Sequence, residues 1–328
     1  MDAVKVLVAR RAPAAVVEKL SARFDVDYHD GEAPLTADEL RARLQGRAGA
    51  YITGTERITP ALLDACPDLR VVSTMSVGYN HIDVAACTAR GVLVTNTPDV
   101  LTETTADLGF ALLMATARRM SEGERLLREG RWKSWSWDFL AGADVHGSTL
   151  GILGMGRIGQ ALARRGRFGF GMNIAYHNRS RLPADVEAEL GARYLGKEAL
   201  LREADHLVLV LPYSAESHHC IGAAELALMK STATLVNIAR GGIIDEDALA
   251  AALRDKRIAA AGLDVFEGEP SINPALLTLP NIVLTPHIGS ATMPTRLAMA
   301  GLAADNLLAA LSGDAVPTPV NPEVLARR

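Results

Sequence analysis

Cysteine is scarce: three in 328 residues, Cys66, Cys87 and Cys220, with no Cys-x-x-Cys spacing among them. That excludes a disulfide framework and a thiolate zinc site, so no metal is expected and a reducing cytoplasm is the expected setting. Long apolar runs are also missing. The longest, Leu108 to Ala117, is too short to cross a bilayer. Met1-Asp2-Ala3-Val4-Lys5 runs straight into a strand-like segment, with no charged-then-apolar leader. Long basic runs are lacking too, and the net charge is -4, so nothing suggests a surface for nucleic acid or anionic lipid. There are no repeats or low-complexity tracts. What remains is a chain 49% apolar and 22% charged, the balance of a soluble globular protein, and long enough for two domains.

Short apolar runs of strand length alternate with helical patterns from the start. Strand-like segments fall at Val4 to Ala9, Val26 to Tyr28, Ala50 to Thr53, Arg70 to Thr74 and Val92 to Thr95. Helical patterns lie at Pro13 to Arg23 and Thr36 to Leu44. This alternation predicts parallel α/β layers. A long helix is expected over Glu103 to Glu129, with Thr102 as its N-cap and Leu108, Leu112 and Ala115 on one face. After Trp132, Trp135 and Trp137 a second series opens. Its strands are expected at Leu150 to Leu153, Asn173 to His177, His206 to Leu211, Ala233 to Ile238, Ala259 to Leu263 and Asn281 to Leu284. Five or six strands with helical crossovers make a doubly wound domain. A last amphipathic helix, Thr292 to Leu311, has no strand after it and is expected to return to the first unit. The fold class is α/β with two Rossmann-like doubly wound domains, one of them discontinuous: 1–100 plus 292–328, and 101–291.

Thr149 to Leu153 reads as a buried strand, Gly154-Met155-Gly156-Arg157-Ile158-Gly159 follows at once, and a helix runs from there. In that context Gly154 makes the tight turn, Gly156 admits a pyrophosphate and Gly159 lets helix and strand pack closely. The helix N-terminus supplies free N–H groups and a positive dipole end. The following strand ends in His177-Asn178-Arg179-Ser180-Arg181, with no Asp or Glu where a site for NAD places an acid. Guanidinium groups and a hydroxyl can bind a 2′-phosphate that a carboxylate would repel. NADPH is therefore favoured over NADH; the alternative is a solvated basic loop.

Three polar signatures follow later strands: Asn237 to Gly242, Asp264 to Pro270 and Pro286 to Thr292. All three are placed beyond strand carboxyl ends, where open α/β sheets bind ligands. Their residue types suit carbonyl reduction, in which a developing alkoxide needs a proton and a nearby positive charge. His287 suits the acid, Glu269 would hold its ring, and Arg240 can fork onto a carboxylate and a carbonyl oxygen together. Taken singly, each has an ordinary structural reading as a surface histidine, a turn or an ion-pair partner.

These segments, with Ser76-Val77-Gly78-Tyr79-Asn80 and Leu101 to Asp107, resemble the D-isomer-specific 2-hydroxyacid dehydrogenase family across nearly the whole chain. A finer likeness is to glyoxylate/hydroxypyruvate reductases, including the type that reduces 2-ketogluconate. It rests on Thr102 to Asp107, the Trp-rich stretch and His287 to Thr292. The resemblance implies Arg240, Glu269 and His287 as the catalytic set. It implies substrate contacts at the Val77 and Gly78 amides, Arg240 and Ser290. Cofactor contacts are implied at Thr104, Arg157, Ile158, Leu211, Pro212, Ile238 and Gly289, with Asp264 facing the nicotinamide. It also implies that the discontinuous unit binds substrate, that 101–291 binds the cofactor, and that the chain forms a homodimer through its cofactor domains. The Trp132, Trp135 and Trp137 segment reads as interface burial, with gating of the partner's active site as the alternative. D-lactate, phosphoglycerate and formate dehydrogenases and a cofactor-sensing corepressor are the rival readings. An intact Arg240, Glu269 and His287 set, and a chain ending at Arg328 without a regulatory domain, favour a small 2-keto acid reductase.

Overall fold

The computed structural model describes residues 3–327, so Met1, Asp2 and Arg328, the chain ends read above, lie outside the described residues. The chain forms two compact units, one reaching to Leu101 and resuming at Ala291, the other Thr102–Ser290.

In the first unit β1 (Lys5–Val8), α1 (Ala14–Ser21), β2 (Asp25–Tyr28), α2 (Ala37–Leu44) and β3 (Gly49–Ile52) alternate. They are followed by α3 (Pro60–Ala65), β4 (Val71–Thr74), α4 (Val84–Ala89) and β5 (Leu93–Thr95). Among the described residues the five strands pair in parallel in the order β2-β1-β3-β4-β5. The short helices α3 and α4 were not expected from periodicity. Each begins at a cap, Thr59 accepting from Leu62 N and Asp83 accepting from Ala86 N, which satisfies an otherwise orphaned amide.

In the second unit, one helix expected over Glu103 to Glu129 is two, α5 (Thr102–Ala117) and α6 (Met120–Arg128). The break has a cause. The Ala117 carbonyl accepts from Ala143 N at 2.9 Å rather than from a helix amide, and Arg119 turns to φ +53°. Thr102 lies inside the first turn of α5 rather than capping it. Then come β6 (Thr149–Leu153), α7 (Arg157–Arg164) with a π turn at Arg165–Gly169, β7 (Asn173–His177), α8 (Ala184–Leu190) and β8 (Ala192–Tyr194). The rest is α9 (Lys197–Glu203), β9 (His206–Leu209), α10 (Ala223–Leu228), β10 (Thr234–Asn237), α11 (Glu246–Arg254), β11 (Ala260–Leu263), α12 (Pro274–Leu277) and β12 (Ile282–Leu284).

Among the described residues this sheet has seven parallel strands, β12-β11-β10-β9-β6-β7-β8, one more than the sequence pattern predicted. The addition is β8, an edge strand of three residues with no apolar run. Side chains alternate between two cores, Leu207 and Leu209 into one and Val208 into the other, because both faces are covered. The strand order reverses between β9 and β6, and the glycine loop leaves β6 at that point.

The chain then returns to the first unit as α13 (Met293–Ser312), which packs on β3, β4 and β5. Ala300, Ala303, Ala304 and Leu307 enter the core formed with Val6, Val8 and Val71, and Ser73 Oγ donates to Ala303 O at 2.7 Å. Beyond it, Asn321 accepts from Val94 N at 2.8 Å and Val320 N donates to Val94 O, so the tail covers the open edge of β5. Layered α/β architecture with parallel sheets is what the alternation of short runs predicts, and it is what the chain adopts.

Candidate active site

Two of the three glycines in the turn after β6 leave no room for a side chain. Gly154 sits at φ +104°, and a Cβ there would come within 2.7 Å of Leu211 N. A Cβ on Gly159 would lie 2.4 Å from the Gly154 carbonyl oxygen, so this residue lets α7 start against the strand. At Gly156 the opposite holds: a Cβ would meet no atom within 4 Å, so the turn faces open space. Gly156 caps α7 without any side-chain hydrogen bond, and the first turn carries no acid. A concave glycine turn opening onto a helix N-terminus with uncapped amides is the donor set a pyrophosphate requires. The residues therefore fit a dinucleotide.

Asn178, just past β7, braces the same turn: its Oδ1 accepts from Met155 N at 2.6 Å. That leaves its amide nitrogen, a pair of donors, where an aspartate would present a second acceptor. Arg179 and Ser180 beside it are exposed. Arg181 differs from its sequence reading, because it forks onto Glu187 with contacts of 2.7–3.1 Å. Both guanidiniums in this loop are exposed, but that of Arg181 is engaged by Glu187.

The three polar signatures converge. His287 Nδ1 lies 2.7 Å from Glu269 Oε2, and Glu269 Oε1 accepts from Phe266 N at 2.8 Å. Burial pushes the Glu269 carboxyl up, but the His287 hydrogen bond and charge, the Phe266 amide and the Arg240 guanidinium outweigh it, so the carboxyl stays below its usual range. With a carboxylate on Nδ1, the ring donates there and turns Nε2 outward as the nitrogen able to give or take a proton. Arg240 is half-buried; its Nη1 donates to Ala239 O at 2.7 Å and its charge acts on Glu269. Burial disfavours that charge, and the Glu269 carboxylate supports it. Gly241 sets the spacing of the two loops, since a Cβ there would stand 1.8 Å from Phe266 O.

Asp264 holds the loop that carries His287. It is 1% exposed and accepts from Thr285 Oγ1 at 2.7 Å, Ile288 N at 2.8 Å and Gly289 N at 2.8 Å. Its carbonyl accepts from His287 N at 2.9 Å, while His287 itself is held at φ +53°. Asp264 and Gly289, two residues the family resemblance assigns to the cofactor, are thus bonded to one another. That the carboxylate is spent on this loop was not foreseeable from its spacing.

Thr104 lies in the first turn of α5, Leu211 and Pro212 follow β9, Ile238 follows β10, and Ser290 closes the His287 loop. Val77 and Gly78 belong to the first unit, in the loop after β4. There the Val77 carbonyl accepts from Asn96 Nδ2 and the Gly78 carbonyl from Ser76 Oγ, at 2.8 and 2.7 Å. Among the described residues no hydrogen bond uses the Val77 or Gly78 amide, so the loop presents donors. Asn96 went unnoticed in the sequence because its role depends on β5 lying beside β4.

Comparison with known proteins gives a concordant result. Residues 110–289 match the model of the D-isomer specific 2-hydroxyacid dehydrogenase, NAD binding domain. A glyoxylate reductase of Thermococcus onnurineus is 46% identical over 325 residues, covering 98% of this chain and 97% of that protein. A glyoxylate/hydroxypyruvate reductase B of Klebsiella pneumoniae is 47% identical, covering 97% of this chain and 98% of its own. Among solved structures, the NADPH-dependent glyoxylate/hydroxypyruvate reductase of Sinorhizobium meliloti, in complex with NADP and malonate, superimposes with a TM-score of 0.85 at 37% identity, covering 97% of each chain. With its glycine turn, its His287–Glu269 pair and likeness over nearly its full length, the chain belongs to the D-isomer-specific 2-hydroxyacid dehydrogenases.

Proposed function

We propose that this protein reduces small 2-keto acids, glyoxylate and hydroxypyruvate first among them and 2-ketogluconate as a further candidate, to D-2-hydroxy acids with NADPH as the favoured donor. The observation that carries the reading is the His287–Glu269 pair at 2.7 Å with Arg240 beside it, in the unit that also holds the glycine turn. When bound, the reduced nicotinamide supplies the hydride. Gly154, Gly156, Arg157, Ile158 and Gly159 would hold the pyrophosphate, and Asn178, Arg179 and Ser180 the 2′-phosphate. His287 gives its Nε2 proton to the keto oxygen, Glu269 supports the ring's charge, and Arg240 orients the substrate and offsets negative charge on the oxygen. The Val77 and Gly78 amides take a carboxylate. Malonate, a dicarboxylate, accompanies NADP in the Sinorhizobium meliloti enzyme, which agrees with a site for small carboxylates.

A homodimer through the second unit belongs to this proposal. Met120, Leu127, Trp132, Trp135, Trp137 and Phe139 are exposed within one stretch, and Trp137 is 86% exposed. Apolar side chains gathered in that way mark an interaction surface. No helix among the described residues is long and apolar enough to cross a membrane.

The test is a steady-state panel of glyoxylate, hydroxypyruvate, pyruvate and 2-ketogluconate, each with NADPH and NADH. His287→Ala should abolish turnover with any active pair while NADPH still quenches or enhances fluorescence at near wild-type concentrations. Full activity in that variant, or no keto-acid-dependent oxidation of either cofactor by the wild type, overturns the reading.

A further inference from the structure

Beside the catalytic loops, on the far side of Gly242, lies a second cluster that the reduction does not use. His218, His219 and Glu267 each offer one ligand atom, and the three atoms lie within 4.8 Å of one another. Scarce cysteine excludes a thiolate site but says nothing of imidazoles. We propose that these three residues bind a divalent first-row transition ion, with zinc as the type case.

The donor set is two imidazole nitrogens and one carboxylate oxygen, the composition that suits zinc, nickel and copper rather than magnesium or calcium. The cluster is held from several sides. His219 Nε2 lies 2.8 Å from Glu267 Oε2, and the His218 and His219 rings stack at 3.9 Å. His219 sits at φ +49°, with its amide donating to Gly242 O at 2.7 Å, so the backbone presents that ring in a conformation few residues adopt. The Tyr213 hydroxyl is 3.1 Å from His218 Nδ1, an outer partner of the kind that fixes ring orientation in metal sites.

Geometry and charge both permit an ion. Ligands about 2.1 Å from a tetrahedral zinc stand about 3.4 Å apart, so the pairs lying within 4.8 Å must close by up to about 1.4 Å and the 2.8 Å His219–Glu267 pair must open by about 0.6 Å, both within reach of side-chain rotation. His219 and Glu267 are 38% and 47% exposed, free enough to rotate and to leave a coordination position for water. The cluster opens onto a cavity of about 340 Å³ whose lining includes Asp245, Glu246 and Asp247. The site requires only the loop after β9 and the turn after β11, and it stands whether or not the keto-acid reading holds.

The experiment uses untagged, chelator-stripped full-length protein titrated with zinc chloride by calorimetry, and with cobalt(II) followed by its visible absorption. One equivalent of zinc should bind, and His218→Gln and Glu267→Gln should each weaken binding at least tenfold and remove the cobalt band. His287→Asn, which deletes the other imidazole–carboxylate pair, should bind as the wild type does. Both Gln variants are checked for an unchanged melting temperature in chelator, and either one that folds suffices. No stoichiometric zinc, wild-type affinity in the folded Gln variants, or loss of binding in His287→Asn overturns the proposal.

Discussion

Replacing Asp264 by Asn is almost isosteric, yet it strikes the loop that carries His287. The aspartate accepts three hydrogen bonds, from Thr285 Oγ1, Ile288 N and Gly289 N. An asparagine oxygen can keep two of them, but its NH2 group must then face a third donor. Losing one bond to a charged acceptor and leaving a buried amide unsatisfied costs about 3 kcal/mol or more. Against this, burial pushes the Asp264 carboxyl up despite those donors, so a neutral side chain recovers some desolvation. The net cost should be about 2 kcal/mol, or ~4–8 °C in melting temperature for a unit of this size. Because the Ile288 and Gly289 amides that the side chain holds directly follow His287, the ring should shift, and misplacement of this kind costs on the order of 100-fold in kcat. Calorimetry and keto-acid-dependent NADPH oxidation are the assays. A melting point within ~1 °C of wild type together with kcat within twofold refutes the bracing role. Thr285→Val, which deletes only the hydroxyl, provides a milder step of about 1 kcal/mol should Asp264→Asn not fold.

Glu269→Gln keeps an acceptor for His287 Nδ1 but removes the charge, and a charge-assisted bond this exposed is worth enough to lower kcat about 10- to 100-fold; kcat within twofold would sink that role. Because the folded Glu269 carboxyl lies below its ordinary 4.5, its charge stabilises the fold above that pH and is lost as pH falls through the depressed value. The melting-temperature difference between wild type and Glu269→Gln should therefore close in acid, and a gap that widens there counts against the pairing. Arg179→Ala should raise KM for NADPH at least tenfold and leave KM for NADH within about twofold, since a phosphate contact of this kind is worth at least 1.4 kcal/mol; equal effects on both cofactors would refute the 2′-phosphate assignment. Trp135→Ser with Trp137→Ser should shift sedimentation from dimer toward monomer, and an unchanged mass, or a monomeric wild type, removes the proposed interface.

How far the chain was legible in advance depended on the range of the interaction. Parallel strands buried on both faces announce themselves as apolar runs, so strands could be placed from sequence at Leu150 to Leu153 and His206 to Leu211, where the structure has Thr149–Leu153 and His206–Leu209. β8 could not, because Ala192-Arg193-Tyr194 has no such run and is a strand only by lying beside β7. The long helix was read through Arg118 and Arg119 because its periodicity continues there. What stops it is the Ala143 amide, 26 residues downstream of Ala117, reaching back to that carbonyl. The site shows the same divide. Glycines and catalytic residue types are local facts, whereas Arg181 looked available for a phosphate until Glu187 in α8 was seen to hold it. The adjacent histidines His218 and His219 were visible all along, but their third partner lies 48 positions away in Glu267.

On the proposed reading, Asn178 serves both the fold and the choice of cofactor. The turn after β6 needs an acceptor for Met155 N, and Asn or Asp supplies it equally well from the end of β7. That demand fixes the short amide-or-acid side chain but not its outward half. Under the proposed 2′-phosphate site, an Asp would add a charged acceptor that repels the phosphate, whereas Asn offers an NH2 group near the exposed Arg179 and Ser180. On that reading, preference for the phosphorylated cofactor can change at this residue without disturbing the turn. The glycine loop itself, the most recognisable feature of the sequence, is indifferent to that choice.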